Sequence, residues 1–132
     1  VGGYLKSVQK NVKMVAVSPK NSCVMYESIK AEKQLDLPSD PILSDGTAGG
    51  VEMGSITFEL CQRIVDEFIL VTEDEIADGI RIGVEKHHQL IEGAAGAAIA
   101  GFMKQKDKLN GQTVVIVMCG GNISSEVLKS IL

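Results

Sequence analysis

Cys119-Gly120-Gly121-Asn122 is the stretch of this 132-residue chain whose residue types best suit holding a small molecule. It follows Thr113–Val117, five consecutive β-branched residues, which predict a strand buried on both faces in the middle of a parallel sheet. In open α/β sheets, ligands lie beyond the carboxyl ends of strands. A glycine pair at that point leaves no side chain between the backbone and a ligand, and Cys119 marks where a cofactor would lie. Asp45-Gly46, in a loop, and Glu92-Gly93, at a helix start, are expected on the same side. Each feature also has a plainer reading: Cys119 as a small buried hydrophobe, Glu92 as a helix-start carboxylate stabilised by the dipole, and the loop as a surface connection.

Other chemistries find little support. The patterns G-x-G-x-x-G, Walker A, G-x-S-x-G and H-E-x-x-H are all absent. His87-His88 diverge by about 100° on a helix and have no third ligand at hand, so they read as residues suiting a helix end rather than as a metal site. Three cysteines without a C-x-x-C pair make a disulfide framework or structural zinc improbable and suggest reduced, cytoplasmic surroundings. A formal charge of −4 with scattered basic residues gives no stripe for nucleic acid. The longest small and apolar stretch, Gly93–Met103, is too short to cross a bilayer.

These residues need a scaffold. The length suits one domain, and 45% hydrophobic content with only five aromatics suits an aliphatic α/β core. Residues 1–10 read as a helix already under way, and Val12–Ser18 as a strand closed by Pro19. Asn21 or Ser22 is expected to cap a helix through Met25, Ile29 and Lys33, ending before Leu37-Pro38. Residues 38–51 have loop composition throughout. Ser55 precedes a helix with Phe58, Cys61, Ile64 and Val65 on its apolar face, and Glu67–Val71 is a short strand. Thr72 and Glu75 have capping-box spacing, ahead of a stripe of Ile76, Ile80 and Val84. Residues 91–103 favour a helix, but its glycines cost about 1 kcal/mol each there, so they need a close-packing reason. A solvated connection, a turn at Gly111, the strand at 113–117 and a helix over Ser125–Leu132 complete the order.

The alternation predicts an α/β fold: three layers, a mostly parallel sheet, helices on both faces. Three strands are few for a free-standing sheet. Residues 1–132 are therefore expected to be a single α/β segment, an incomplete part of a larger domain, with some of the sheet supplied by residues upstream of Val1.

Four stretches in order, D-G-T-A-G-G-V-E-M-G-S-I-T-F-E-L at 45–60, V-D-E-F-I-L-V-T-E-D-E-I-A at 65–77, I-E-G-A-A-G-A-A-I-A at 91–100 and V-V-I-V-M-C-G-G-N-I-S at 114–124, resemble the C-terminal half of the pyridoxal-phosphate-dependent threonine/serine dehydratases of fold type II. Residues 16–30 are similar to the strand and helix that precede that half. The resemblance implies that the chain is the C-terminal part of the large cofactor-binding domain. It implies cofactor-binding roles for Cys119, facing the pyridine nitrogen, with Gly120 in the turn after it, for Gly46, whose backbone lies beside the ring, and for Glu92, near the cofactor's polar edge. A thiol is a weak donor, so Cys119 would not hold the ring nitrogen protonated as a carboxylate does, which suits elimination of water.

Departures from the family pattern matter too. The family's cofactor-carrying lysine lies in an S-F-K-x-R-like motif, and its glycine-rich phosphate cradle lies ahead of the first helix here; neither is present. Ser28-Ile29-Lys30 looks superficially like the lysine motif, but Glu32 stands where arginine belongs. Gly2-Gly3 aligns beyond the cradle, and the cation ligands of some relatives fall on Ser18 and Val24. No catalytic residue is therefore assigned. The resemblance implies a complete protein, expected to be a homo-oligomer, that converts a small hydroxy amino acid to a 2-oxo acid and ammonia; the segment alone is expected to be inactive. The alternatives are a non-catalytic α/β packing or oligomerisation module, and an amino-acid racemase of the same family.

Overall fold

The computed structural model describes all 132 residues. Helix α1 spans Gly2–Val8, strand β1 Val15–Pro19, α2 Val24–Lys30, α3 Ile56–Ile64, β2 Glu67–Val71, α4 Glu73–His87, α5 Gly93–Gln105 and α6 Ser125–Ile131. Short 3-10 turns occupy Asp45–Thr47 and Lys106–Leu109.

β1 and β2 pair in parallel, with Val17 opposite Ile69 and Ala16 opposite Phe68. Side chains alternate across a sheet, and paired residues share a face. Val17 meets α5 at Gly101, where an added Cβ would come within 3.0 Å of Val17 Cγ1. Phe68 points the other way, and its ring lies 5.7 Å from that of Tyr26 on α2. Helices therefore cover both faces, and the three-layer expectation holds.

The expected central strand does not form. Residues 113–124 carry no helix or strand assignment, and Val115 is 81% exposed. A run of β-branched residues sets a preference for extended backbone, but a ladder needs a neighbour on which to place its N–H and C=O groups. β1 and β2 pair only with each other. Ile116 and Met118 still pack on the core, so one side of the segment is seated while the other side stays open.

The core lies between the sheet and the α4–α5 pair. Ile76, Ile80 and Val71 are fully buried, and burying such side chains contributes about 1.5–3 kcal/mol each. The glycines of α5 have the packing reason they need: a Cβ on Gly96 would stand 2.6 Å from Ile80 Cγ1, and one on Gly93 would stand 2.6 Å from Ser44 Cα. The start of α4 is fixed by the expected capping box, with the Glu75 N–H donating to Thr72 Oγ1 and the Thr72 N–H to Glu75 Oε2.

The helix after β1 corrects the expected cap. Cys23 is its N-cap, without a side-chain hydrogen bond, and the helix ends at Lys30, short of Lys33. Ser22 is buried and serves the following loop instead. Ser39 O–H donates to Ser22 Oγ at 2.5 Å, as does the Gly49 N–H at 3.3 Å.

Candidate functional site

Loop 38–51 is held at several points. Besides Ser22, the Asp40 N–H donates to the Asn21 carbonyl, and Leu43 N–H donates to Glu73 Oε2 at 2.6 Å. Buried Ser44 shares a 2.7 Å hydrogen bond with Thr47 Oγ1. These contacts fix the backbone on either side of Gly46. Ser22 and Ser44 are positioning residues that the sequence reading missed: a serine pinning a distant loop, as Ser22 does, looks the same in sequence as a helix cap, and Ser44 holds Thr47 within a stretch that reads only as loop.

Glu92 joins that loop to the turn after residue 119. It occupies the N-cap position of α5 but makes no side-chain cap hydrogen bond to that helix. Its Oε2 accepts the Asn122 N–H at 2.9 Å, and its own N–H donates to the Gly120 carbonyl at 3.2 Å. A Cβ on Gly46 would lie 3.4 Å from Glu92 Oε1, and one on Gly120 would overlap the same carboxylate. Gly120 also has φ +97°, a conformation that glycine adopts readily and other residues resist. Gly121 is tight for another reason: a Cβ there would stand 3.1 Å from the Leu90 carbonyl.

Gly46, Glu92 and Gly120, three residues singled out in the sequence, thus converge. Cys119 adjoins them and is exposed, so its reading as a buried hydrophobe fails. The other two thiols are half-buried, and burial pushes both Cys23 and Cys61 upward. Beside the carboxylate the surface is bare backbone: Gly120 and Gly121 are exposed.

The remaining candidates stay apart from this cluster. Lys30 is exposed on the last turn of α2, with its Nζ 5.7 Å from the Tyr26 ring centre and 4.0 Å from Glu27. His87 ends α4, and His88 follows with φ 53° as its left-handed cap; both are exposed.

The chain is similar to known proteins. The family model described as pyridoxal-phosphate dependent enzyme matches residues 1–120. The L-threonine ammonia-lyase of Thermotoga maritima is 34% identical over 128 residues, covering 97% of this chain and 31% of that protein. Among solved structures, the processed form of threonine deaminase isoform 2 from Solanum lycopersicum superposes with a TM-score of 0.91 at 25% identity, covering 99% of this chain and 38% of that one. Serine racemase from Dictyostelium discoideum superposes with a TM-score of 0.78 at 30% identity, over 90% of this chain and 38% of that one. The chain therefore spans less than half the length of the relatives it matches. By the match over residues 1–120, the chain belongs to the family of pyridoxal-phosphate-dependent enzymes.

Proposed function

We propose that residues 1–132 supply the ring-nitrogen side and part of the floor of a pyridoxal phosphate site in a threonine/serine dehydratase. The observation that carries the reading is the convergence of Gly46 and Gly120 on one carboxylate, beside an exposed Cys119. A flat pyridine ring needs side-chain-free backbone along its plane and a modest polar group at its nitrogen. Glycine at 46, 120 and 121 and a thiol at 119 fit those needs.

Bound pyridoxal phosphate supplies an electron sink for the substrate's α-carbon. Cys119, a weak donor, would orient the ring edge without giving it a full positive charge. Gly46 and Gly120 would let the backbone approach the ring closely. No residue near the cluster has the standing of a cofactor lysine, since Lys30 lies on a solvated helix face. The lysine, the phosphate cradle and the substrate contacts are assigned to the part of a complete protein that the relatives have beyond the matched third. A homo-oligomer in the reducing cytoplasm, acting on serine or threonine, is the corresponding whole-protein reading.

The site is tested by titrating the 132-residue chain with pyridoxal phosphate while following backbone amides, with borohydride reduction and intact mass in parallel. Saturable shifts at Gly46, Cys119 and Gly120 without a stoichiometric lysine adduct are expected. A single adduct at Lys30, or shifts that avoid those residues, would overturn the assignment. The reaction is tested in a chimera in which residues 1–132 replace the matching third of the Thermotoga maritima enzyme. Ammonia release from L-threonine is expected. Conversion of L-serine to D-serine without ammonia would favour a racemase, and a folded chimera that binds cofactor but does neither would favour a packing module.

A further inference from the structure

Residues 113–123 are tied to the core by hydrogen bonds to one residue, one through its backbone and one through its side chain. They take part in no strand ladder, and two hydrogen bonds tie them to the remainder of the chain. One is Glu92 N–H to the Gly120 carbonyl, and the other is Asn122 N–H to Glu92 Oε2. Both come from Glu92. Apolar contacts of Ile116, Met118 and Ile123 seat the segment on the core, but such contacts are non-directional and do not fix a turn by themselves.

The Glu92 side chain has given up a local partner to do this. An N-cap carboxylate ordinarily accepts an N–H of its own helix. Here the cap hydrogen bond is missing, and the carboxylate faces the turn. Its other oxygen lies toward Gly46. One side chain, rooted in the well-buried start of α5, therefore stands between the two glycine segments proposed to flank the cofactor.

We propose that Glu92 is a latch: a positioning residue that fixes the spacing between the Gly46 loop and the Cys119–Asn122 turn and leaves ring contact to those two segments. The proposal rests on the cofactor reading above for its purpose, though not for its geometry. Glycine at 120 is then required twice over, for its φ of +97° and because the carboxylate lies where a Cβ would be. The Asn122 backbone N–H, rather than its side chain, is the group the latch holds.

The test compares the chain with Glu92→Ala and Glu92→Gln by residue-resolved amide exchange and by titration with pyridoxal phosphate. In Glu92→Ala, exchange at Asn122 should accelerate about tenfold, the scale of losing one hydrogen bond to a charged group, while Val71 and Ile80 amides keep their protection. Glu92→Gln, which retains an acceptor oxygen, should recover most of it. The ligand concentration that half-saturates the shifts at Gly46 and Cys119 should rise about tenfold in the alanine variant. Unchanged exchange at Asn122 would overturn the latch. Faster exchange at Val71 and Ile80 as well would make Glu92 a general fold residue and would overturn it too. If exchange responds as expected but the unmodified chain shows no response to pyridoxal phosphate, the latch stands and the cofactor reading falls. Equal affinity in the alanine variant with an opened Asn122 would remove the spacing role.

Discussion

Gly79 of α4 and Gly96 of α5 meet backbone to backbone: a Cβ on Gly79 would overlap the Gly96 carbonyl, and one on Gly96 would lie 2.9 Å from the carbonyl oxygen of Ile76. Small residues at both positions let the two helices approach closely, which aligns the α5 start, and with it Glu92, against the loop. Gly79→Ala should therefore destabilise the chain by about 1–3 kcal/mol, the range for overpacking a close contact, despite the better helix propensity of alanine. A chemical-denaturation midpoint equal to or above that of the unmodified chain would contradict this crossing.

Much of that arrangement is legible in the sequence. Thr72 and Glu75 declare a helix start through a reciprocal pair only three residues apart, and the Ile76/Ile80 stripe declares its buried side. Gly46, Glu92 and Gly120 stand out as a loop glycine, a helix-start carboxylate and a turn glycine, and their cofactor roles come from the resemblance of the surrounding stretches. Less legible is anything decided by a distant partner. Residues 113–117 read as a central strand from their own preference, yet pairing depends on a neighbour elsewhere in the chain. Ser22 looked like a cap and proved to be a pin for Gly49, 27 residues on.

Thr72 offers the cleanest local measurement. Its hydroxyl accepts the Glu75 N–H at 3.3 Å, and Glu75 returns a 2.8 Å contact to the Thr72 N–H. Thr72→Ala should cost about 1 kcal/mol of stability, with thermal melting as the readout. An unchanged midpoint would mean that α4 starts equally well without its reciprocal cap.

The three thiols should separate kinetically. Cys119 is exposed. The Cys23 thiol is pushed up by burial and by nearby Glu27, and that of Cys61 by burial. Thiolate is the reacting form, so a disulfide reagent near neutral pH should show one fast phase and two slow ones. Cys119→Ser should remove the fast phase, and pyridoxal phosphate should slow it in the unmodified chain. A fast phase that survives Cys119→Ser would contradict the exposure pattern.

Val115 presents a different liability. It is 81% exposed in a β-branched run without a ladder, the kind of segment that pairs with other chains. Val115→Lys should alter stability by no more than about 0.5 kcal/mol, as expected of a surface change, while reducing self-association in light scattering at high concentration. Equal scattering by both proteins would show that the segment is not the site of association.

Acid should loosen the packing around the sheet. The Asp66 carboxyl is held below its ordinary value of 3.8 by the Lys6 ammonium at 2.6 Å and by the Met14 N–H at 2.7 Å. For Glu75, burial pushes upward but is outweighed by the Thr72 N–H and the Lys104 ammonium, leaving it below its ordinary 4.5. A carboxyl with a depressed folded pKa binds fewer protons in the folded chain than in the unfolded one. Its stabilisation is present above the unfolded pKa and is lost as pH falls through the folded one. The melting temperature should therefore be nearly flat from pH 7 to about 5 and decline below about 4. Glu75→Gln should lower the neutral-pH value and flatten part of the acid decline. Asp66→Asn should do the same more weakly at high salt than at low, because an exposed pair is screened. A melting temperature that rises on acidification, or an acid slope untouched by both substitutions, would assign the pH dependence to other groups.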